Sequence, residues 1–246
     1  QRCELERILD LIENHKRIVT QNRGRIFCFG CRWWKRGIIK HFLGATGTKI
    51  SFQKSPSHQT AKSIDASSRF VVWGAKDNKR IHHLARRHGI AVERIEDGFV
   101  RSVGLGSDFA RPSSLILDRR GIYFDPRQPS DLEHLLNTVE PDEAAMARAQ
   151  ALRNQIVEGG ISKYNNGCDT LHMELHRPGQ RIILVPGQVE NDASIQTGSV
   201  DVRTNLDLLK AVRQNNPDAH IVYKPHPDVT AGNRIGNFEK KSAESL

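Results

Sequence analysis

The sequence lacks any apolar run near the ~18 residues that cross a bilayer, which excludes a membrane-spanning helix. It has no basic-then-apolar leader segment, so we expect a cytoplasmic chain. Four cysteines among 246 residues are too few for a disulfide-stapled fold. Aromatic residues make up only 6%, and no DNA- or RNA-binding motif is present, so we expect no nucleic-acid partner.

The standard motifs of nucleotide and hydrolase chemistry are also missing, because the sequence has no GxGxxG, Walker, HExxH or GxSxG pattern. It also has no Asp-x-Asp pair, the simplest carboxylate clamp for a metal-bound nucleotide diphosphate. The sequence therefore predicts neither a metal site nor a resident cofactor.

Cys28 and Cys31 have the CxxC spacing of a zinc or redox site. Zinc would need a second pair of ligands, and Cys3 and Cys168 are isolated. The simpler interpretation places Cys28 in a strand and Cys31 in the turn after it.

Positive charge is what the sequence has in excess. Its 37 Lys and Arg residues stand against 28 Asp and Glu, giving a net charge of +9. Such an excess favours an anionic partner, which can be nucleic acid, an anionic membrane surface, or a phosphorylated or carboxylated substrate.

Short apolar runs alternate with amphipathic segments, which indicates an α/β fold. We predict strands at 25–30, 49–52, 69–74, 91–95, 181–185 and 220–223. Helices are predicted at 4–13, 78–88, 130–137, 141–158 and from Thr204 to a stop at Pro217. The pattern predicts a hairpin of 114–117 with 121–124, and the run 181–185 is the clearest candidate for a buried strand.

The strand–helix–strand pattern occurs twice, so we expect two doubly wound, Rossmann-like α/β units that face each other across a cleft. The expected divisions are an N-terminal Rossmann-like domain at 1–140, a linker helix at 141–165 and a partial C-terminal Rossmann-like domain at 166–246. Only 19 residues, most of them polar, follow Pro227, so we expect the second unit to be incomplete.

Three polar motifs follow predicted strands. Glu96 and Asp97 precede the turn residue Gly98, and Arg101 can hold an anion or pair with these acids. In the second motif, Gln188, Glu190, Asp192 and Ser194 follow the apolar run 181–185, where they either supply a nucleophile or acid/base group or cap a helix.

The third motif is Lys224-Pro225-His226-Pro227, in which two prolines stiffen the loop. A cation and an imidazole at a strand end suit a phosphate, and a rigid turn with exposed polar groups is the alternative.

In this order, the three motifs resemble the bacterial capsule polysaccharide synthesis family. The similarity is to its retaining β-Kdo transferases, and in particular to the second module of a two-module Kdo-linker enzyme. It also includes Gly24 to Gly30, Trp34-Lys35-Arg36, Arg111-Pro112 and Gly121 to Asp125, and it covers about residues 20 to 235. The residues after Asn237 depart from the family pattern, so a C-terminal truncation is expected.

The resemblance implies a GT-B-like fold, in which 1–140 is the acceptor-side domain and 166–246 a partial nucleotide-sugar-binding domain. It implies transfer of Kdo from CMP-β-Kdo with retention, by double displacement. It implies Asp192 as the nucleophile, with Glu190 in the same motif, and Glu96 or Asp97 as the base on the acceptor side. Lys224 and His226 are expected at the CMP phosphate, with Gln188, Ser194 and Arg101 also on the donor side and Arg101 suited to the Kdo carboxylate.

The implied acceptor is a lipid-linked Kdo on phosphatidylglycerol. The implied location is peripheral, at the anionic surface of the inner membrane beside capsule assembly and export proteins. Two alternatives remain open at this point: an inactive truncated remnant of such a transferase, and a basic nucleic-acid-binding protein.

Overall fold

The computed structural model describes residues 2–76, 78–165, 167 and 178–238. It separates the chain into two compact units. The first unit comprises residues 1–101, 111–123 and 129–140. The second unit comprises residues 102–110, 124–128 and 141–246.

The first unit begins with helix α1 and builds one sheet. Its strands are β1 (Gly24–Phe29), β2 (Thr48–Gln53), β3 (Arg69–Trp73), β4 (Val92–Asp97) and β5 (Leu115–Asp118). Its α-helices are α1 (Arg2–Gln21), α2 (Arg36–Leu43), α3 (His58–Lys62), α4 (Lys79–His88) and α5 (Asp131–Thr138), with a 3-10 turn at Trp33–Lys35.

The strand order in this sheet is β2-β1-β3-β4-β5, with β5 antiparallel to β4 and the other pairs parallel. From β1 the chain continues to β2, at one edge of the sheet, and from β3 it continues to β4, toward the other edge. The direction in which successive strands are added therefore reverses between β1 and β3. Ligands of such sheets bind at the carboxyl ends of the strands near this reversal. The predicted α/β class is confirmed in this parallel-dominated sheet.

Two apolar layers cover the faces of the sheet. On one face, Ile26, Cys28 and Val71 pack with Ile39 and Leu43 of α2. On the other, an aromatic cluster packs against α4. It consists of Phe27, Phe29 and Phe70, and the Phe70 ring meets the other two edge to face at 5.7 and 5.3 Å. Alternation along β1 therefore supplies both layers.

The second unit contains β6 (Ile182–Pro186) and β7 (His220–Lys224), which pair in parallel. Its helices are α6 (Glu143–Glu158), α7 (Ala193–Gly198), α8 (Asn205–Asn215) and α9 (Pro227–Thr230). The register sets Pro186 opposite Lys224, so the loops that follow the two strands leave from the same edge. A 3-10 turn at Gly106–Asp108 belongs to this unit.

Most of the helix starts expected from the sequence are confirmed by side-chain caps. Asn78, Ser130, Asp142 and Thr204 each accept a backbone N–H from the first turn of α4, α5, α6 and α8. Gly89 ends α4 with a φ of 64°, a left-handed conformation that glycine adopts without strain. These signals are local, which is why the sequence is sufficient to find them.

Two expectations were wrong. Residues 121–124 form no strand, because Asp118 Oδ1 accepts the N–H groups of Arg120 and Gly121 and turns the chain, and β5 pairs with β4 instead. The strand β6 is not deeply buried: Val185 is enclosed, but Ile182 and Leu184 are exposed over 41% and 60% of their surface.

Among the described residues, no helix has the length and apolarity of a membrane span.

We expect Phe70→Ala to lower the free energy of unfolding of the first unit by about 3–5 kcal/mol, because it empties the centre of the aromatic cluster. All three tryptophans, Trp33, Trp34 and Trp73, lie in this unit, so urea unfolding followed by their fluorescence reports on it. Leu136→Ala is the matched control, since Leu136 is 76% exposed. Equal losses in the two variants would contradict this account of the core.

Candidate functional site

Two polar edges are candidates, one in each unit, and both lie at the carboxyl ends of parallel strands. In the first unit, β4 ends in Glu96 and Asp97. Asp97 Oδ2 lies 2.8 Å from Arg101 Nε and 3.3 Å from Lys35 Nζ. Arg101 is fully buried and Lys35 is 8% exposed, so two cations are held inside the protein by one carboxylate.

Lys35 is the residue here to which sequence reasoning gave no role, although it belongs to the Trp-Lys-Arg segment that carries the resemblance. Its Nζ lies 3.5 Å from the centroid of the Trp73 ring, at the end of β3. Burial lowers the pKa of the Lys35 ammonium, while the negative charges of Asp97 and Glu96 oppose that shift. Only the adjacency of β1, β3 and β4 brings these groups together.

The turn after β4 is rigid. Gly98 donates its N–H to the Ser114 carbonyl, and a Cβ on Gly98 would collide with Ser114. Ser114 Oγ donates to the Val100 carbonyl, and Ser113 donates its N–H to the Arg101 carbonyl. The two residues before β5, Ser113 and Ser114, therefore hold the backbone around Arg101 in place, and this places its buried guanidinium.

Glu96 differs from Asp97 in its surroundings. It is half-buried, and its Oε1 accepts the Asp97 N–H at 2.9 Å. Gly74, which follows β3 with a φ of 65°, leaves the space that Glu96 Oε2 uses, since a Cβ there would lie 3.2 Å from that oxygen. Asp97 Oδ1, by contrast, is shielded from solvent and accepts no hydrogen bond within the described part of the chain.

In the second unit, Asp192 caps α7. Its Oδ1 accepts the N–H of Ser194 at 3.0 Å and the Ser194 hydroxyl at 2.8 Å. Asp192 is exposed, and its second oxygen accepts no hydrogen bond from any described residue. One oxygen thus fixes the side chain and leaves the other accessible.

Glu190 and Gln188 are held by a residue that the motif search missed. Buried Asn205, at the start of α8, donates its N–H to Glu190 Oε1 at 2.8 Å. Its side-chain amide accepts the Gln188 N–H and donates to the carbonyls of Gln188 and Gly236. These contacts give Glu190 a structural partner and fix the loop after β6. The sequence signal that could have pointed to Asn205 is its side-chain amide, directly after the helix cap Thr204.

The loop after β7 presents Lys224 and His226. Lys224 is exposed at the strand end. His226 caps α9 through Nδ1, which accepts the Asp228 N–H at 3.1 Å. An Nδ1 that accepts a hydrogen bond leaves the neutral ring with its proton on Nε2, where it can be donated to an anion.

Burial lowers the pKa of His226. The negative charges of Asp228 and Asp192 act against that shift, and the positive charges of Lys163 and Arg234 add to it. Asp192 and His226 are therefore electrostatic neighbours within the second unit. Ser107 Oγ donates to Asp228 Oδ1 at 2.7 Å, so the segment 102–110 also supports this loop.

The two cysteines of the CxxC pair are buried at the end of β1. Cys28 lies in β1, and Cys31 lies two residues beyond the strand end, with its Sγ 3.6 Å from the Phe29 carbonyl oxygen. Both thiols are free and buried. No group of three or more side chains suited to a metal occurs in the part of the chain that the structure describes.

Residues 69–246 match the family model described as "Capsule polysaccharide biosynthesis protein". The chain is 39% identical over 236 residues to the capsule polysaccharide modification protein LipA of Neisseria meningitidis serogroup B, covering 96% of this chain and 33% of LipA. It is 38% identical over 216 residues to the lipopolysaccharide-processing protein LpsZ of Rhizobium meliloti, covering 85% of this chain and 48% of LpsZ. The chain thus spans between a third and a half of these relatives.

Two solved structures from Thermosulfurimonas dismutans are similar in fold. One is titled KpsC, beta Kdo 2,4 transferase, with a TM-score of 0.69 and 30% identity, covering 88% of this chain and 66% of that one. The other is titled KpsC, beta Kdo 2,7 transferase, with a TM-score of 0.61 and 35% identity, covering 83% and 62%.

The surroundings of His226 predict how its titration responds to nearby charges. We expect a midpoint below the ordinary value of about 6.5, and a further fall in Asp228→Asn, because that change removes a charge that favours the imidazolium. Lys163→Ala should raise the midpoint, because it removes a charge that opposes the imidazolium. Proton and nitrogen NMR of the imidazole measures the titration midpoint of His226 in the unchanged chain and in both variants.

The lowered pKa of His226 also sets the direction in which the stability of the folded chain changes with pH. Below about pH 6.5 the unfolded chain binds a proton at this histidine that the folded chain resists, so stability at this group falls as the pH drops toward the folded pKa. Shifts in the same direction for Asp228→Asn and Lys163→Ala would contradict the electrostatic account.

Proposed function

Since this chain belongs to the capsule polysaccharide biosynthesis family, we propose that it is a Kdo transferase module that uses CMP-Kdo with retention. The observation that carries the proposal is the second unit's edge, where exposed Asp192 lies in electrostatic range of His226 on the neighbouring loop. A carboxylate nucleophile beside a phosphate-binding loop is what double displacement requires. The GT-B-like organisation implied by the resemblance is part of the same proposal.

In the first step, the free oxygen of Asp192 attacks the anomeric carbon of Kdo. The bond from that carbon to the CMP phosphate breaks, and its electron pair leaves with the phosphate. The ammonium of Lys224 and the Nε2–H of His226 stabilise the departing anion. A neutral imidazole donates without needing a proton to be taken up first.

In the second step, an acceptor hydroxyl attacks the same carbon, and the ester to Asp192 breaks and returns the carboxylate. The hydroxyl proton passes to Glu96. We assign this role to Glu96 and not to Asp97, because Asp97 Oδ2 is bound to two cations and its Oδ1 is shielded from solvent. Lys35 and Arg101 are then positioning residues that hold the turn carrying Glu96.

This assignment changes the role proposed for Arg101. Its Nε pairs with Asp97 and the side chain is fully buried, which favours the ion-pair alternative over contact with the Kdo carboxylate. Gln188 and Ser194 remain proposed donor-side residues, and Glu190 is proposed to keep the loop in place through Asn205.

The acceptor and surroundings complete the proposal. The net charge of +9 suits a lipid-linked Kdo acceptor on phosphatidylglycerol and peripheral binding at the anionic surface of the inner membrane. Contacts with capsule assembly and export proteins are proposed on the family resemblance alone.

Asp192→Asn tests the nucleophile with the cap preserved, because an asparagine oxygen accepts the same Ser194 N–H. We expect Kdo transfer to fall by at least ~1000-fold with an unchanged melting temperature. Asp192→Ala is the control that loses the cap and the carboxylate together. Transfer at the wild-type rate by Asp192→Asn would refute the nucleophile assignment.

Glu96→Gln and Asp97→Asn should separate the base from the structural acid. Glu96→Gln is expected to fold normally and to accumulate a Kdo ester on Asp192, seen by intact-protein mass spectrometry with CMP-Kdo. Asp97→Asn leaves two buried cations without their carboxylate, so we expect it to be less stable by about 3–5 kcal/mol. Wild-type turnover in Glu96→Gln would remove Glu96 from the mechanism.

A further inference from the structure

A cavity in the first unit lies at the edge strand β2, which β1 and β3 separate from β4. It has a volume of about 320 Å³ and is bounded by β1, β2 and α3. Its polar lining includes Arg25, Lys49, Ser51, Gln53, Ser57 and Gln59, with Phe27 as an apolar wall. This volume falls at the lower end of ordinary small-molecule sites, about 300–1,000 Å³.

Two polar groups of this cavity, which we call the β2 pocket, have no hydrogen-bond partner among the described residues: the Ser51 hydroxyl and the Gln53 amide nitrogen. Ser51 Oγ is shielded from solvent and has no hydrogen-bond partner among the described residues. Gln53 accepts the Thr60 hydroxyl through its Oε1 at 2.5 Å, which leaves its amide hydrogens for another acceptor. A buried polar group without a partner costs stability, so its retention points to a ligand with hydroxyl or carboxyl groups.

The charges of the lining select the ligand further. Arg25 Nε lies 2.8 Å from Asp65 Oδ2, so that pair is neutral. Lys49 makes no ion pair with any residue in the described ranges, and it sits beside Arg25 in the register of β1 and β2. One uncompensated positive charge suits a monoanion such as a sugar carboxylate better than a dianionic phosphate.

We propose that the β2 pocket binds one acidic monosaccharide unit of the acceptor glycan, through Lys49 and the amide and hydroxyl groups of β2 and α3. This inference rests on the proposed function, which supplies an acceptor that carries such sugars. Hydroxyl and amide groups recognise the ring hydroxyls, Lys49 binds the carboxylate, and the apolar face of the sugar lies against Phe27.

The β2 pocket is not part of the reacting centre. Strands β1 and β3 separate β2 from β4, which places β2 three strand spacings, or about 14 Å, from the strand that carries Glu96. A sugar bound there holds the acceptor on the first unit and raises its effective concentration without touching the atoms that react.

The test is an NMR titration of the isotope-labelled chain with the methyl glycoside of Kdo. We expect saturable shifts of the amides of Lys49, Ser51 and Gln59. Lys49→Ala should weaken this binding by about fivefold, as should the methyl ester of the same glycoside, since each removes one partner of a single charge contact. Lys62→Ala is the matched control, because Lys62 is exposed on α3 and does not line the pocket.

Each result decides the proposal. Absence of shifts on β2 and α3, equal binding by Lys49→Ala, or tighter binding of inorganic phosphate than of the glycoside would overturn it. A chain that transfers Kdo without these shifts refutes the β2 pocket alone. A chain that shows the shifts but transfers no Kdo refutes the proposed function alone.

Discussion

The ion cluster at the end of β4 is the constraint on which the first unit's candidate site depends. Asp97 supplies the charge that allows Arg101 and Lys35 to be buried, and a buried cation without such a partner is costly. Because Lys35 precedes α2 and stacks on Trp73, the cluster ties together the ends of β1, β3 and β4. The position of Glu96, one residue earlier, follows from those ties.

Much of this fold can be predicted from sequence because many of its signals are local. Strand cores, the caps at Asn78 and Ser130 and the helix stop at Gly89 each depend on a few neighbouring residues. The hairpin at 121–124 could not be excluded in this way, because the carboxylate of Asp118 competes for the turn and β4 competes for β5. The exposure of β6 could not be predicted either, since an apolar run does not show how much of the strand other elements cover.

In the candidate site, too, the features with local signals could be predicted from sequence and the long-range contacts could not. Sequence placed the acids, the lysine and the histidine at strand ends, where the structure has them. It could not show that Lys35 is buried against Asp97, or that Asn205 holds the loop after β6, because those contacts join residues 62 and 17 positions apart.

In the second unit, helix capping and the proposed chemistry are compatible uses of the same side chains. Asp192 accepts the Ser194 N–H with one carboxylate oxygen, which leaves the other oxygen available. His226 accepts the Asp228 N–H with Nδ1, which leaves its Nε2 proton available. A cap removes rotational freedom from the side chain, and the atom left over then points in a defined direction. The structural interpretation of these motifs therefore explains the preorganisation that the functional interpretation needs.

Charge balance adds a last constraint on the first unit. Glu96, Asp97, Lys35 and Arg101 carry two negative and two positive charges, so the cluster is neutral while both acids are ionised. Removing the Asp97 charge, as in Asp97→Asn, would leave both buried cations with only Glu96 to balance them. Removing the Glu96 charge instead leaves the Asp97 contacts intact and places the excess positive charge at the half-buried end of the cluster, where water can screen it. The same geometry that makes Asp97 structural is why Glu96 is the carboxylate that we propose as the base.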